Sequence, residues 1–195
     1  MVTYAKTVGS PVLQGGEDVT GGMPIDLSHN SNGLSLLCSL KDGDGYRIYR
    51  YDFDEDLEVM DKKSITTGYV LLSEKADEGM FLGGDEEGKQ YLQRLKENHD
   101  IDFKRTYKDG RITYILDEED NLLIGGFVRK NGTVHPSLFK TDLSGDMIQS
   151  KIWRKEGLIE NILKTEKGYL VDIHLYGDGE HTELSHMKNL DHLWS

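Results

Sequence analysis

The stretch Asn121-Leu-Leu-Ile-Gly-Gly126 decides the fold, because three other segments of the chain share its pattern. They are Gly33-Leu-Ser-Leu-Leu-Cys38, Gly79-Met-Phe-Leu-Gly-Gly84 and Gly168-Tyr-Leu-Val-Asp-Ile173. Each segment opens with Gly or Asn and continues as a short apolar run, which is typical of a buried β-strand. The four runs begin 46, 42 and 47 residues apart (33 to 79, 79 to 121, 121 to 168). This spacing predicts a structural unit that is repeated four times along the chain.

Each apolar run is the second strand in the same predicted succession of strands and turns. A short first strand precedes it, at 23–27, 69–72, 112–116 and 160–163. A glycine-containing hairpin follows it, and the turns are Asp42-Gly-Asp-Gly45, Glu86-Glu-Gly-Lys89, Lys130-Asn-Gly-Thr133 and Gly177-Asp-Gly-Glu180. Such sequences supply the positive φ angles that two-residue hairpins need. An alternating third strand comes next, at 46–53, 89–95, 136–143 and 183–190, and a fourth strand at 57–65, 101–107 and 147–153.

The repeat predicts an all-β chain of four four-stranded antiparallel units, at approximately 23–65, 69–107, 111–153 and 158–195. The last unit lacks a complete fourth strand, and residues 2–9 resemble the other fourth strands. We therefore expect 2–9 to close the last unit, which gives a four-bladed β-propeller in a single domain, 1–195. Half of an eight-bladed ring formed by dimerisation, or an irregular β-sandwich, are the alternatives. Segment 86–98 is interpreted as a strand, because the corresponding segments of the other units alternate apolar and polar residues.

The second and third units also carry a recognisable motif. An apolar strand ending in Gly83-Gly84 or Gly125-Gly126 is followed, in the third unit, by Phe139-Lys-Thr-Asp-Leu-Ser-Gly-Asp146 and Trp153. This pattern resembles the degenerate β-propeller repeats of bacterial proteins. The resemblance implies a fold and no particular function, since such folds have many unrelated activities.

Composition limits the classes of partner. The formal net charge is −12, and the chain has no basic stripe or tail, which argues against binding nucleic acid or an anionic membrane. The sequence contains no run of 18 apolar residues, so it predicts no transmembrane helix. The first ten residues lack the apolar core of a secretion signal, so we expect a soluble protein and leave its localisation open. The single cysteine, Cys38, excludes an internal disulfide and lies in an apolar run that predicts a buried thiol.

No motif in the sequence predicts a metal or a cofactor. The acidic stretch from Asp42 to Asp56 suggests calcium, but the positions that an EF-hand loop reserves for Gly and Glu are Arg47 and Phe53 when counted from Asp42. Nucleophile elbows, phosphate-binding glycine loops and Cys-x-x-Cys pairs do not occur. The sequence therefore predicts no metal site, no cofactor and no identifiable catalytic residue.

Departures from the repeat supply the first candidate ligand-binding residues. Asp172 stands where the second and third units have glycine, so a carboxylate is placed at a closely packed position. His174 and His186 lie on neighbouring strands of the same unit, with His181 at the hairpin between them and His192 near the end of the chain. Convergence of Asp172, His174 and His186 in one concave pocket would favour a hydrolase or lyase.

Two tyrosines supply the second pair of candidates. Tyr49 and Tyr51 are two residues apart on one predicted strand and share a face, where exposed rings could bind a sugar. The leading hypothesis is a non-catalytic binding module, monomeric or homodimeric, that recognises a protein or a carbohydrate. Its acidic surface favours basic partners. A hydrolase or lyase that uses the Asp/His cluster is the alternative.

Overall fold

The computed structural model describes residues 23–30, 33–177 and 181–187. Every regular element in these residues is a β-strand, which confirms the all-β prediction. In the same residues, no helix has the length and apolar character needed to cross a membrane. The chain divides into two compact units at the boundary between Tyr69 and Val70. The strands are β1 (Met23–Asn30), β2 (Gly33–Asp42), β3 (Gly45–Phe53), β4 (Val59–Thr67), β5 (Tyr69–Ala76), β6 (Gly79–Glu86), β7 (Lys89–Leu95), β8 (Ile101–Asp117), β9 (Asn121–Lys130), β10 (Thr133–Asp142), β11 (Met147–Ile152), β12 (Gly157–Thr165), β13 (Gly168–Leu175) and β14 (His181–Met187).

The first unit contains one antiparallel sheet in the order β1-β2-β3-β4. Cys38, Tyr51 and Phe53 form a buried cluster on one face, with half-buried Leu36 and Tyr49 packed against it. Cys38 is 5% exposed, which confirms the predicted buried thiol. Burial raises the pKa of this thiol to about 11, so the side chain stays protonated and acts as a small apolar group.

The second unit contains a seven-stranded sheet in the order β11-β10-β9-β8-β7-β6-β5 and a three-stranded sheet in the order β12-β13-β14. The expectation of four separate four-stranded sheets is therefore corrected to sheets of four, seven and three. The difference arises at β8, which joins the predicted strands 101–107 and 112–116 into one. Its first half pairs with β7 as far as Asp109, and its second half pairs with β9 from Gly110 onward. Gly110 has φ 149°, which lets the backbone stay extended while it changes partners.

Three of the predicted hairpins, at 42–45, 86–89 and 130–133, form where the sequence predicts them, and most of the fourth turn lies outside the described residues. Glu87 and Gly88 have φ of 50° and 79°, and Asn131 and Gly132 have φ of 51° and 83°. Both central residues of each turn are left-handed, as type I′ hairpins require. These turns set the β6–β7 and β9–β10 registers, and segment 89–95 is a strand, as predicted.

Close packing on both sides of β9 forms the core of the second unit. Leu122 and Ile124 join a buried cluster with Phe81 and Leu92 of the preceding strands. Leu123, on the other face, joins a cluster with Ile159 and further apolar residues of β12–β14. The glycines permit the approach: a Cβ at Gly83 would lie 2.8 Å from Ile112 Cγ2, and one at Gly125 would lie 2.7 Å from Ile159 Cγ2. Glycine is thus needed here for close approach.

The remaining predictions divide between described and undescribed residues. The third and fourth predicted strands match β3, β4, β7, β10, β11 and β14 to within a few residues at their ends. The predicted closing strand 2–9, the connection after it and His192 lie outside the described residues. Among the described residues, the last sheet has the order β12-β13-β14.

Candidate functional site

A polar cleft of about 460 Å³ lies in the second unit, at the ends of β6, β7 and β8. It is lined by Glu78, Arg94, Lys96, Glu97, Asn98 and Asp102. Glu78 belongs to the β5–β6 turn, Arg94 is on β7, Asp102 is on β8, and the other three lie in the loop 96–100 that connects β7 to β8. The cleft is therefore built from connecting loops on a rigid sheet, where binding residues are commonly found.

The loop 96–100 is held in shape by its own hydrogen bonds. Lys96 N donates to Asp100 O at 2.9 Å, and His99 N donates to Lys96 O at 2.8 Å. His99 is in the left-handed region, with φ 62°. Asn98 Oδ1 accepts from Asp100 N, and Asn98 Nδ2 donates to the Asp100 carboxylate. These bonds position Glu97 and Asn98 before any ligand arrives.

Two other connections, 54–58 and 142–146, have the same backbone pattern as the loop 96–100. Asp54 N donates to Glu58 O, and Asp142 N donates to Asp146 O, both at 3.1 Å. In these two turns the first residue is aspartate, and its Oδ1 accepts backbone N–H bonds from residues two and four positions later. Lys96 takes that place in the third turn, so its side chain lines the cleft and Asn98 replaces the aspartate as acceptor.

The charges in the cleft are unevenly paired. Arg94 Nη1 lies 3.6 Å and Lys96 Nζ 3.8 Å from the carboxylate of Asp102, so two cations share one anion. Arg94 Cζ also lies 5.5 Å from the centroid of the Phe81 ring, and Arg94 Nε is buried without a hydrogen-bond partner among the described residues. Glu78 and Glu97 are exposed and form no ion pair within residues 33–177. The cleft thus offers two exposed carboxylates.

A second acidic group lies between β5 and β8. Burial, with the nearby carboxylate of Asp117, raises the pKa of Glu74, and burial together with Glu74 raises the pKa of Tyr114. Asp117 Oδ1 is buried without a partner in the part of the chain that the structure describes. Across the same residues, no three His, Cys, Asp or Glu side chains come close enough together to bind a metal ion.

The predicted Asp/His cluster lies on one face of the three-stranded sheet but does not converge. Asp172 is opposite Leu184, His174 is opposite Thr182, and His186 is opposite Leu170. His174 and His186 are therefore four residues apart along β13, which is about 13 Å. His174 is instead 4.0 Å from the Glu160 carboxylate, and its ring packs against Tyr176. His186 is exposed.

The predicted tyrosine pair does share a face. The Tyr49 and Tyr51 ring centroids are 6.3 Å apart, and Lys62 Nζ lies 5.0 Å and 5.4 Å from them. Tyr51 is only 2% exposed and belongs to the buried cluster of the first unit. The expectation of two exposed rings is therefore corrected: Tyr51 packs in the core and offers no open surface for a sugar.

Sequence reasoning missed all six residues of the cleft. Two signals were present in the sequence. The connection after β7 is longer than a two-residue hairpin and carries five polar residues, Lys96-Glu-Asn-His-Asp100. The position that holds Asp54 and Asp142 in the corresponding turns is changed to lysine. No protein-family model matches this sequence, and no curated protein matches it either.

Proposed function

We propose that this chain is a non-catalytic binding module with the architecture of a β-propeller, and that its loop cleft binds a basic segment of a protein partner. The observation that carries the proposal is the cleft of about 460 Å³ with two exposed carboxylates, Glu78 and Glu97, at its edge. The proposed architecture is a ring of four blades, or half of a ring of eight.

Support for the blade arrangement comes from the second unit. The strands there pack in successive layers, and each layer places two isoleucines against a glycine of the layer before it. Propeller blades pack face to face in this manner and present their connecting loops at the two ends of the stack. Closure by residues 2–9 remains part of the proposal.

The charge of the cleft supports a cationic partner. Asp102 is already shared by Arg94 and Lys96, which leaves Glu78 and Glu97 to meet an incoming ammonium or guanidinium group. A net charge of −12 attracts a basic partner at long range and raises its rate of association.

The enzyme and sugar-binding hypotheses receive less support. Asp172, His174 and His186 are spread along one face of a sheet, so they do not form a catalytic group. Tyr51 is buried, so the tyrosine pair does not form a stacking platform. No specific observation favours either the enzyme or the sugar-binding hypothesis. The binding experiment below distinguishes both of them from the proposed binding of a basic protein segment.

The test measures binding of a fluorescent lysine-rich hexapeptide by anisotropy, with a glutamate-rich hexapeptide as the reference ligand. We expect the lysine-rich peptide to bind and the glutamate-rich peptide not to bind. The affinity should fall as salt is added, because salt screens the interactions between exposed charges. Glu78→Gln and Glu97→Gln should each weaken binding by about two- to fivefold, as loss of one exposed ion pair predicts.

The matched control is Glu166→Gln, since Glu166 is also an exposed glutamate in a turn between a first and a second strand, β12 and β13. It should leave binding unchanged. Equal peptide affinity in the wild type and in the Glu78/Glu97 double variant would place the binding site elsewhere. Binding of a neutral oligosaccharide without binding of the peptide would contradict a basic protein partner.

A further inference from the structure

A β-bulge directly follows each of the three turns that share a backbone pattern, 54–58, 96–100 and 142–146. The pairing register shifts between Asp52 and Phe53 on β3, between Arg94 and Leu95 on β7, and between Lys140 and Thr141 on β10. The strand that begins after the turn carries one extra residue at each shift, and these residues are Met60, Asp102 and Ile148. Because a bulge changes the direction of the side chain that it carries, the three bulges place one equivalent side chain beside each turn.

The connection from β7 to β8 differs from the other two at both of these places. Its turn begins with Lys96, where the other turns begin with aspartate, and its bulged residue is Asp102, where the other bulges have apolar residues. Those apolar residues, Met60 and Ile148, are 63% and 51% exposed, so the bulged position faces the solvent. Of the three connections, only this one therefore places a cation opposite an anion, with Lys96 Nζ 3.8 Å from Asp102 Oδ1.

The ammonium group of Lys96 is held loosely. Its distance to the Asp102 carboxylate, 3.8 Å, exceeds about 3.2 Å, the usual upper limit of a hydrogen bond from a nitrogen donor. The side chain of Lys96 is 60% exposed and that of Asp102 is 36% exposed. Because an exposed ion pair of this kind contributes little stabilisation, a cation of equal charge can replace one of its members. A basic group of a ligand can therefore take the place of Lys96 beside Asp102.

We infer that Lys96 is an internal competitor of the cationic ligand, which pairs with Asp102 in the free protein and is displaced when a basic segment binds. The inference rests on the proposed function of the cleft and adds Asp102 to the carboxylates that contact the ligand.

The competition also affects which ligands the cleft selects. Once Lys96 is displaced, three of the remaining charged side chains that line the cleft are acidic and one, Arg94, is basic. A ligand with a single cation gains one carboxylate only by releasing Lys96 from another contact. A segment that carries several cations can replace Lys96 at Asp102 and also pair with Glu78 and Glu97. Lysine at position 96 therefore favours densely basic segments over singly charged ones, because it penalises the weaker ligands most.

The test compares Lys96→Gln with the wild type in the anisotropy assay with the lysine-rich hexapeptide. Lys96→Gln should bind the peptide about three- to tenfold more tightly, because the Asp102 carboxylate becomes available and one repelling charge is lost. Lys96→Arg keeps the positive charge and should bind as the wild type does. Unchanged affinity of Lys96→Gln would overturn the inference.

Lys155→Gln is the matched control. The side chain of Lys155 is 65% exposed and its Nζ lies 2.9 Å from the Glu183 carboxylate, so the substitution removes the same charge from a comparable ion pair. Lys155 O lies 3.3 Å from His135 Nδ1, near the β9–β10 hairpin and at the other end of the strands from the cleft. Its loss should change the affinity by less than about 1.5-fold, since physiological salt screens exposed charges beyond about 8 Å. An equal gain in both variants would mean that net charge alone sets the affinity, and would overturn the inference.

An Asp102→Asn background distinguishes competition from simple repulsion. There Lys96→Gln should gain less than about twofold in affinity, because the substitution releases no carboxylate. An equal gain in both backgrounds would show that Lys96 only repels the ligand, and would contradict the competition. The proposed function fails in a different way: absence of peptide binding by both the wild type and Lys96→Gln would end it together with this inference. Wild-type binding that requires Glu78 and Glu97 but does not respond to Lys96→Gln would end this inference alone.

Discussion

Strands β9 and β13 have nearly the same sequence pattern and different surroundings. In β9 the residues from Leu122 to Val128 are all buried, since a layer packs on each face. In β13 only Val171, Ile173 and Leu175 are buried, all on one face. One of the differences lies on the face whose burial differs, where β9 has Gly125 and β13 has Asp172. The face of β9 that carries Gly125 is covered by the next layer, whereas the face of β13 that carries Asp172 is open.

The same contrast separates two equivalent leucines, one on the strand that pairs with β9 and one on the strand that pairs with β13. Leu138 lies opposite Gly125 at 0% exposure, and Leu184 lies opposite Asp172 at 65% exposure. Because the two are equivalent in the repeat and differ in burial, their energetic contributions should differ as their surroundings do. The two leucines are the same residue type at equivalent positions, so the neighbouring layer determines how much each contributes to stability.

The largest expected effect comes from truncating these two leucines. Leu138→Ala should lower the free energy of unfolding by about 2–5 kcal/mol, because it leaves a cavity in a packed core. Leu184→Ala should lower it by less than about 0.5 kcal/mol at a concentration where the chain is monomeric, since an exposed side chain loses little. Urea unfolding followed by circular dichroism measures both. Similar losses for the two variants would show that Leu184 is covered within a single chain.

A smaller effect is expected at the positions that distinguish β9 from β13. Gly125→Ala adds a methyl group 2.7 Å from Ile159 Cγ2, and overpacking of this kind costs about 1–3 kcal/mol. Asp172→Ala removes a carboxylate whose Oδ1 is buried without a partner among the described residues. It should leave the stability unchanged or raise it slightly. Both variants are compared by their midpoints in urea, and a larger loss for Asp172→Ala would contradict an open face.

The strands could be predicted from the sequence because each depends on local signals. Alternating apolar residues set the strands, and Asn131-Gly132 set a turn with positive φ angles, which asparagine and glycine adopt readily. The joining of two predicted strands into β8 could not be predicted in this way. A glycine between two predicted strands, such as Gly110, indicates a turn. Only the pairing of Gly110 with β9 shows that the chain stays extended there.

The candidate site was harder to predict than the fold. Asp172, His174 and His186 stood out by residue type, but their separation depends on the β13–β14 register, which fixes His186 opposite Leu170. Tyr51 was expected on the surface because strand alternation gives a face and does not say which face is covered. The cleft depends on side chains from one turn, one loop and two strands, and no short motif encodes that proximity.

The smallest expected effect concerns the covered face of β13, at Tyr169. Its hydroxyl donates to the carboxylate of Glu118, which also lies 3.1 Å from Lys164 Nζ. Burial and then the hydrogen bond to Glu118 raise the pKa of Tyr169 well above its usual range. A raised folded-state pKa means that the stabilisation is complete below the ordinary tyrosine pKa, about 10, and is lost as the pH rises through the folded value. Tyr169→Phe should therefore cost about 1 kcal/mol at neutral pH and little in strong alkali.

Spectrophotometric titration of the tyrosines tests this directly. In the wild type, the phenols of Tyr91, Tyr107 and Tyr169 should resist ionisation until the protein unfolds, and Tyr169→Phe should lower the number of such phenols by one. Glu118→Gln should lower the pKa of Tyr169 without removing the ring, because the charge that opposes ionisation is lost while burial remains. If Tyr169 ionises together with exposed tyrosines near its ordinary pKa, the face of β13 that bears it is not closed to water. The contrast between the two faces of this strand would then rest on Val171, Ile173 and Leu175 alone.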